Sequence, residues 1–328
     1  MDLSQTLLTG TIPQELSSLT ALQRLYGFRS LLSGTLSVHL CTLQALKRLY
    51  LFETKYSGTL PSQISSLTVL DSLSWTLTRL SGSLPNQISQ LANLGRVYLF
   101  GNVLSGTIPD KLLEVSSRSK MNLRQNAKLS GTLPTMSHAL SLKILETNEC
   151  RLSGTLPSQF SSLSTLEVGL FYRNCFSGSL PTDLSAMTRI WFFALGSNQI
   201  SGYLPRLAGQ IKELYYRANH FSGTLPAMSN MLIVMLAHNN SISGTITSLT
   251  GLKSLGVFSL LDNSISGSLP RSLASITSVY TLLLGNNKLS GTLDKQLSQL
   301  DHLQYLHFSS NYLSGSSSPE FANWTKLR

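Results

Sequence analysis

The chain has 328 residues, of which 42% are hydrophobic and only 12% charged, and its formal net charge at pH 7 is +10. An apolar content that is placed periodically excludes a disordered protein, and the absence of a run of consecutive Lys or Arg residues argues against a nucleic-acid-binding arm. No uninterrupted apolar run of about twenty residues predicts a membrane span, and no secretory signal pattern opens the chain.

From the first residues onward, one glycine recurs at nearly constant spacing. The steps between successive copies are 21 to 25 residues long. The fourteen copies are Gly10, Gly34, Gly58, Gly82, Gly106, Gly131, Gly154, Gly178, Gly202, Gly223, Gly244, Gly267, Gly291 and Gly315. A period this regular predicts stacked units that share one core. We therefore expect residues 1–328 to form a single repeat domain, with incomplete first and last repeats.

Each repeat follows the same pattern when its glycine is counted as position zero. Apolar residues stand at positions −12, −9, −7 and −2, as in Leu94, Val97, Leu99 and Leu104. The alternation at −9 and −7 predicts a short strand with one buried face. Ten of the eleven prolines stand at +3, where proline fixes φ and starts a turn.

An asparagine near position −4 predicts a ladder of buried amides that bond to turn backbone groups. The predicted ladder is Asn102, Asn126, Asn174, Asn198, Asn219, Asn240, Asn263, Asn287 and Asn311. Ser30, Thr54, Thr78 and Cys150 hold this slot in other repeats. We therefore interpret Cys150 as a substitute in the ladder and not as a reactive thiol.

The combined pattern, LxxLxLxxNxLSGTIPxxLxxLxxL, resembles the plant-type leucine-rich repeat over essentially the whole chain. The resemblance implies an α/β repeat solenoid of about 14 repeats: a curved right-handed superhelix with parallel strands on its concave face and short 3₁₀ turns on its convex face. Extracellular plant relatives usually carry paired-cysteine caps, which the three cysteines here do not form. We expect either a piece of a longer polypeptide or partners that cover the ends. The leucine-dominated SGTLP spelling also resembles repeat arrays of unicellular algae and other protists.

The side chains at −8 and −6 alternate with the buried ones, so they are predicted to point out of the concave sheet. In the N-terminal half, these positions and their neighbours are aromatic and basic. The predicted partner-binding residues are Tyr26, Phe28, Arg48, Tyr50, Phe52, Arg96, Tyr98, Phe100, Arg124 and Tyr172. Aromatic residues and arginine are typical of binding hot spots. Two interpretations stay open, because repeat duplication alone also produces such a stripe.

Later repeats add three weaker signals. The two 21-residue steps between Gly202 and Gly244 predict a shorter convex part and a local change of curvature. His220 and His238 fall in neighbouring repeats, but no carboxylate or thiol completes a metal site, so surface histidines are the better interpretation.

A column of Thr and Ser at position +1 is the third signal. Such ladders, at strand spacing, are found in several ice-binding proteins, which makes ice binding a minor alternative.

The sequence predicts no enzyme, because no catalytic, metal-binding or phosphate-binding motif is present. We predict no cofactor, no metal and no nucleic-acid partner. The expected function is a non-catalytic scaffold that binds a protein partner on its concave face, within a larger assembly. The alternative is a receptor-ectodomain-like or enzyme-inhibitor-like extracellular module. The location expected from the resemblance is the cell surface, or an organelle if the chain is a subunit of an algal complex.

Overall fold

The computed structural model describes residues 1–207, 209–247 and 249–328. The chain divides into two compact units, Met1–Cys175 (unit 1) and Phe176–Arg328 (unit 2). Each unit is a stack of coils, and every described strand pair within it is parallel. The solenoid expected from the repeat pattern is therefore confirmed as the fold.

The first sheet is built from the strand that alternates apolar and outward residues. Leu25, Leu49 and Leu73 lie opposite one another in register, and all three are buried. In unit 1 its strands are Arg24–Tyr26, Arg48–Tyr50, Ser72–Ser74, Arg96–Tyr98, Lys120–Asn122, Ile144–Glu146 and Val168–Leu170. In unit 2 they are Phe192–Ala194, Glu213–Tyr215, Val234–Leu236, Val257–Ser259, Thr281–Leu283 and Tyr305–His307.

The second sheet is formed around the repeated glycines. In unit 1 its strands are Thr9–Gly10, Leu31–Gly34, Lys55–Thr59, Arg79–Gly82, Val103–Gly106, Lys128–Gly131 and Arg151–Gly154. The strand Cys175–Ser179 contains the point at which the chain divides into units. The second-sheet strands of unit 2 are Gln199–Tyr203, His220–Gly223, Ser241–Thr245, Ser264–Gly267, Lys288–Thr292 and Tyr312–Ser314. Gly58, with φ of +83°, shows why glycine is needed, since this region disfavours other residues. The serine before the glycine ties neighbouring coils, as Ser81 Oγ donates to the Gly58 carbonyl at 3.0 Å.

Short 3₁₀ helices follow many of the glycines. They are Gln14–Ser18, Val38–Thr42, Ser62–Ser66, Asn86–Gln90, Ser158–Ser162, Arg271–Ser275, Lys295–Gln299 and Pro319–Asn323. Proline precedes most of them in an extended conformation, as at Pro61, with φ −72° and ψ 146°. At two positions where proline is replaced, a side chain caps the start of the helix: Ser37 accepts from the His39 N–H, and Asp294 from the Gln296 N–H.

The repeats of 21 residues are built differently. In their described residues no 3₁₀ helix follows Pro205 or Pro226; instead Arg206–Leu207 pairs with Asp183–Leu184 in a small parallel ladder. Asp183–Leu184 belongs to the 24-residue step between Gly178 and Gly202, so this extended ladder is shared by a long and a short repeat. The change of curvature expected here stays a prediction.

A column of apolar side chains at one core position is interrupted in unit 1. Leu94 and Leu142 occupy this slot in flanking coils, but the coil between them places Arg118 there, 0% exposed. Its Nε donates to the Leu112 carbonyl at 3.3 Å and its Nη1 bonds the Leu94 carbonyl. Its Nη2 has no partner among the described residues, and burial lowers the Arg118 pKa to about 10. Sequence analysis missed this residue, although an arginine in a leucine column was visible.

The asparagine ladder satisfies backbone groups of two adjacent coils. Asn102 Oδ1 accepts from the Leu80 N–H at 3.0 Å, and its Nδ2 donates to the Trp75 carbonyl at 2.7 Å and to the Leu99 carbonyl at 3.0 Å. The same arrangement recurs at the other ladder asparagines, with Asn174, Asn240, Asn263 and Asn311 among them.

Cys150 takes the donor half of the ladder arrangement only. Its Sγ donates to the Leu123 carbonyl of the preceding coil at 3.4 Å. A ladder asparagine at this position would accept a hydrogen bond from the Leu129 N–H. Here the Leu129 N–H donates to the Asn126 carbonyl instead. Burial raises the pKa of the Cys150 thiol to about 11, so the group stays protonated at neutral pH. The structure thus places Cys150 inside the ladder, as a thiol.

Candidate binding surface

The outward face of the first sheet in unit 1 begins with two stacked aromatic columns. Tyr26 and Tyr50 lie with ring centroids 5.1 Å apart and planes at 18°. Phe28 and Phe52 are 4.5 Å apart and nearly parallel, at 4°. All four are partly exposed, because residues at these positions alternate with the buried leucines. The four rings form a continuous apolar patch, which we call the aromatic patch.

The basic residues beside the aromatic patch are partly neutralised. Asp71 lies between two of them, with its Oδ1 at 3.8 Å from Arg48 Nε and 3.2 Å from Arg96 Nη2. Arg29 pairs with Glu53 at 2.8 Å. These pairs are solvent-exposed and contribute little stability, but they hold the arginine side chains along the edge of the patch.

The next coil carries small residues at its outward positions, and larger neighbours cover them. Ser74 lies in register with Tyr50 on one side and Tyr98 on the other. Ser72 is 0% exposed and Thr76 only 4%, and Tyr50 Oη donates to Ser72 Oγ at 3.0 Å. This coil therefore supports the aromatic rows and presents almost no surface of its own.

Beyond Tyr98 and Phe100 the face becomes polar. The Arg124 guanidinium lies over the Phe100 ring, 4.6 Å from its centroid. In the same coil, Asn122 donates through Nδ2 to a carboxylate oxygen of Glu146 in the next. Burial raises the pKa of Glu146, and nearby Arg124 opposes that rise. Arg124 and Glu146 thus interact electrostatically without a direct ion pair in the described part of the chain.

Asn148 lies two residues after Glu146 on this polar part of the face. It is 0% exposed, and neither Oδ1 nor Nδ2 has a hydrogen-bond partner among the described residues. The Gln125 N–H bonds the Asn148 carbonyl and the Glu149 N–H bonds the Tyr172 carbonyl, so these coils are adjacent. The outward pattern placed Glu146 and Asn148 on this face, but periodicity alone gives no sign of an unpaired buried amide.

Tyr172 completes the polar part. Burial raises its pKa most, nearby Glu149 raises it further, and nearby Arg124 lowers it. Arg173, in the left-handed conformation with φ of +54°, lies 4.0 Å from Glu149. The structure therefore brings together the predicted residues Arg124 and Tyr172. It places Tyr26, Phe28, Tyr50 and Phe52 in a separate cluster, and Tyr98 and Phe100 between the two.

The corresponding face of unit 2 carries smaller and more aliphatic side chains. Its outward pairs are Ala194/Gly196, Tyr215/Arg217, Leu236/His238, Ser259/Leu261, Leu283/Gly285 and His307/Ser309. His238 Nδ1 lies 3.2 Å from the buried Ser259 Oγ, and burial followed by Arg217 lowers the His238 pKa. Tyr215 donates to Glu213 at 2.9 Å.

Within residues 1–207, 209–247 and 249–328, no cluster of three or more His, Cys, Asp or Glu side chains is arranged to hold a metal ion. In the same ranges, no helix has the length and apolar character to span a bilayer.

The threonine column has a packing role. A Cβ placed on Gly58 would lie 2.6 Å from Thr35 Cγ2, and one on Gly82 would lie 2.6 Å from Thr59 Cγ2. The threonine methyl thus occupies the space that the next coil's glycine leaves open. Tyr203 interrupts the column in unit 2, and its ring occupies the corresponding space beside Gly223.

Comparison with known proteins extends these observations. The Leucine Rich Repeat family model matches residues 302–324. No curated protein matches the chain. Three solved structures are similar over nearly all of it. The first is the plant peptide hormone receptor RGFR1 in complex with RGF2, with a TM-score of 0.95 and 27% identity, covering 100% of this chain and 53% of that one.

The second is the ectodomain of the Arabidopsis receptor kinase HAESA in complex with a peptide hormone ligand, with a TM-score of 0.82 and 28% identity, covering 99% of this chain and 60% of that one. The third is a leucine-rich repeat protein of Leptospira interrogans, with a TM-score of 0.72 and 26% identity, covering 100% of this chain and 82% of that one. The chain spans only about half to three-fifths of the two plant receptor chains. What it shares with all three is the leucine-rich repeat solenoid fold.

Proposed function

We propose that this protein is a non-catalytic interaction scaffold that binds a protein or peptide partner on the first-sheet face of unit 1. The observation that carries the proposal is the aromatic patch, Tyr26, Phe28, Tyr50 and Phe52, which is stacked and partly exposed. Stacked rings are held in place before binding, so little side-chain entropy is lost when a partner covers them. Aromatic residues flanked by arginine are the usual centre of a binding hot spot.

The second candidate is a receptor-ectodomain-like recognition module, and the comparisons favour it. Two of the similar structures are plant receptors in complex with peptide hormones. Both candidates use the same face, and they differ in whether the ligand is a short peptide or a folded partner. Membership of a larger assembly and the resemblance to algal repeat arrays remain proposals without a supporting contact.

The proposal is tested by selecting binders from a random library of linear peptides and measuring their affinity for wild type and for Tyr50→Ala/Phe52→Ala. Truncating two hot-spot aromatics is expected to weaken binding at least about 100-fold. The matched control is Leu236→Ala/Leu283→Ala, two outward residues of unit 2, which should leave affinity within about twofold. Circular dichroism and thermal melting check that both variants fold. Binding that survives in the aromatic variant contradicts the proposed surface.

A further inference from the structure

The polar part of the unit 1 face contains an amide whose hydrogen bonds are unmade. Asn148 is fully buried, and its Oδ1 and Nδ2 have no partner among the residues that the structure describes. A buried polar group that is left without a partner destabilises the folded state. The ladder asparagine Asn126, by contrast, bonds through both its Oδ1 and its Nδ2. An unpaired amide on a surface proposed for binding therefore points to a group that a ligand supplies.

The groups around Asn148 complete a defined set of donors and acceptors. On one side lies Arg124, whose guanidinium is held over Phe100 and whose buried Nε–H has no partner within the described part of the chain. In the same coil as Asn148, Glu146 provides a carboxylate that is held on one side by Asn122. The site therefore offers two donors, Asn148 Nδ2 and Arg124 Nε, and two acceptors, Asn148 Oδ1 and the Glu146 carboxylate.

We propose that this cluster recognises a primary carboxamide, the side chain of an Asn or Gln in an extended peptide. The inference rests on the proposed function and adds the chemistry of one subsite. A primary carboxamide carries two N–H donors and a carbonyl oxygen with two lone pairs. Those four positions match the two acceptors and two donors of the cluster one for one.

The flanking charges select against other polar groups. A ligand carboxylate would be attracted by Arg124 but would face Glu146 without a proton to donate. A ligand ammonium would pair with Glu146 but would face Arg124 and could not accept the Asn148 amide hydrogens. A neutral group that both donates and accepts avoids both mismatches, and such mismatches are an effective source of specificity.

Entry of the ligand requires movement of side chains only. Asn148 is covered, whereas Arg124 and Tyr172 in the flanking coils are partly exposed. We expect these two side chains to change rotamer when the carboxamide enters, as interface side chains commonly do while the backbone stays in place.

The distance from the aromatic patch predicts the spacing in the ligand. Four coil steps separate the coil of Phe52 from that of Asn148, which is about 19 Å at the spacing of neighbouring strands. An extended peptide covers this distance in about six residues. The ligand should therefore carry an aromatic or large aliphatic residue and an Asn or Gln about six positions apart.

The test uses the peptides selected on the wild-type chain. In the strongest binder, each Asn or Gln is replaced by Asp or Glu, and affinity is measured for wild type, Asn148→Leu and the control Ser309→Leu, which fills the same coil position in unit 2. On wild type and the control, the acid at the critical position should weaken binding about 10- to 100-fold. On Asn148→Leu the preference should fall to less than about threefold.

A second variant protects the test if Asn148→Leu does not fold. Glu146→Gln removes the charge that repels an acid, so it should narrow the difference between the amide and the acid peptide. Peptides that need Tyr50 and Phe52 but show no amide preference would overturn this inference and leave the proposed function standing. If no peptide is enriched, or if enriched peptides ignore the aromatic variant, the proposed function and the inference both fail.

Discussion

The two units are built from the same coil, yet they use its variable positions in opposite ways. Unit 1 has an irregular ladder of Ser30, Thr54, Thr78, Asn102, Asn126, Cys150 and Asn174, a buried arginine, and an outward face rich in aromatic and charged residues. Unit 2 has asparagine at all six ladder positions, and most of its outward residues are small or aliphatic, apart from Tyr215, Arg217, His238 and His307. The unit with the irregular ladder thus also has the more varied outward face.

A repeat tolerates a substitution wherever neighbouring groups still satisfy the hydrogen bonds of the backbone. Beside Cys150, the Leu129 N–H donates to the Asn126 carbonyl, and the Thr54 hydroxyl still donates to the Leu51 carbonyl. Because each coil contacts mainly its neighbours, a local compromise is not transmitted far. Four measurements test how different the two units are.

The ladder provides the largest expected effect. In unit 2, Asn287 accepts from the Ile265 N–H at 2.9 Å and donates to the Leu260 carbonyl at 2.8 Å. Asn287→Ala leaves several buried backbone groups unpaired and should lower the free energy of unfolding by about 2–5 kcal/mol. Thr54→Ala in unit 1 removes one hydroxyl bond and should cost about 1 kcal/mol. Urea unfolding measures both.

Asn287→Asp is a second variant, because it keeps an acceptor for the Ile265 N–H but places a buried carboxylate against the Leu260 and Leu284 carbonyls, so it should cost at least as much as Asn287→Ala. Equal costs for Asn287→Ala and Thr54→Ala would show that the two ladders are equivalent.

Arg118 gives the second effect, in the opposite direction. Arg118→Leu restores the apolar column in unit 1 and removes a buried charge, so we expect stabilisation by about 1–4 kcal/mol. The reverse change in unit 2, Leu255→Arg, should destabilise strongly, since Leu255 is fully buried in a column that is apolar in both neighbouring coils, at Leu232 and Val279. Chemical denaturation measures the free energy of unfolding of both variants. A less stable Arg118→Leu variant would mean that the guanidinium is needed in the core.

The glycine positions give the third effect. In unit 1 a Cβ on Gly82 meets Thr59 Cγ2 at 2.6 Å, whereas in unit 2 a Cβ on Gly291 meets only Ser268 Cβ at 3.4 Å. Both glycines have positive φ, so each Ala substitution should cost about 1–2 kcal/mol. Overpacking should add about 1–3 kcal/mol at Gly82 alone. Adding Thr59→Ser should recover most of that excess in thermal melts, and no recovery would rule out the methyl as its cause.

Acid gives the smallest effect, with opposite signs in the two units. Burial raises the Glu146 pKa above its ordinary value of 4.5, so the folded state binds a proton more tightly and stability rises as pH falls through the raised value. Burial, then Arg217, lowers the His238 pKa below its ordinary value of 6.5, against Asp262, which raises it. Because the unfolded chain then binds the proton more readily, the contribution of His238 lowers the free energy of unfolding as pH falls below about 6.5.

Unfolding free energies measured against pH for wild type, Glu146→Gln and His238→Gln separate the two contributions. Glu146→Gln should remove the gain in stability on acidification, and His238→Gln should remove the loss. A loss of stability on acidification that persists in His238→Gln would assign it to another group.

From the sequence alone, the repeat period, the short strands, the turn prolines and the residues of the ladder could all be predicted, whereas the parallel pairing of the strands was implied by the resemblance to leucine-rich repeats. The features predicted from the residues depend on contacts within one coil and its neighbour, and the spacing of Leu99, Asn102 and Gly106 along the chain already indicates them. The prediction that outward residues such as Tyr50 and Phe52 share one face also followed, because side chains in a strand alternate strictly.

Only the tertiary structure decided what those outward residues become. It stacked Phe28 on Phe52, covered Ser72 and Thr76 with their larger neighbours, and left the Asn148 amide buried with no partner among the residues that the structure describes. These outcomes depend on side-chain size and rotamer in two adjacent coils at once. A periodic pattern specifies which way a residue points, but its exposure and hydrogen bonding are determined by the neighbours about 4.8 Å away on either side.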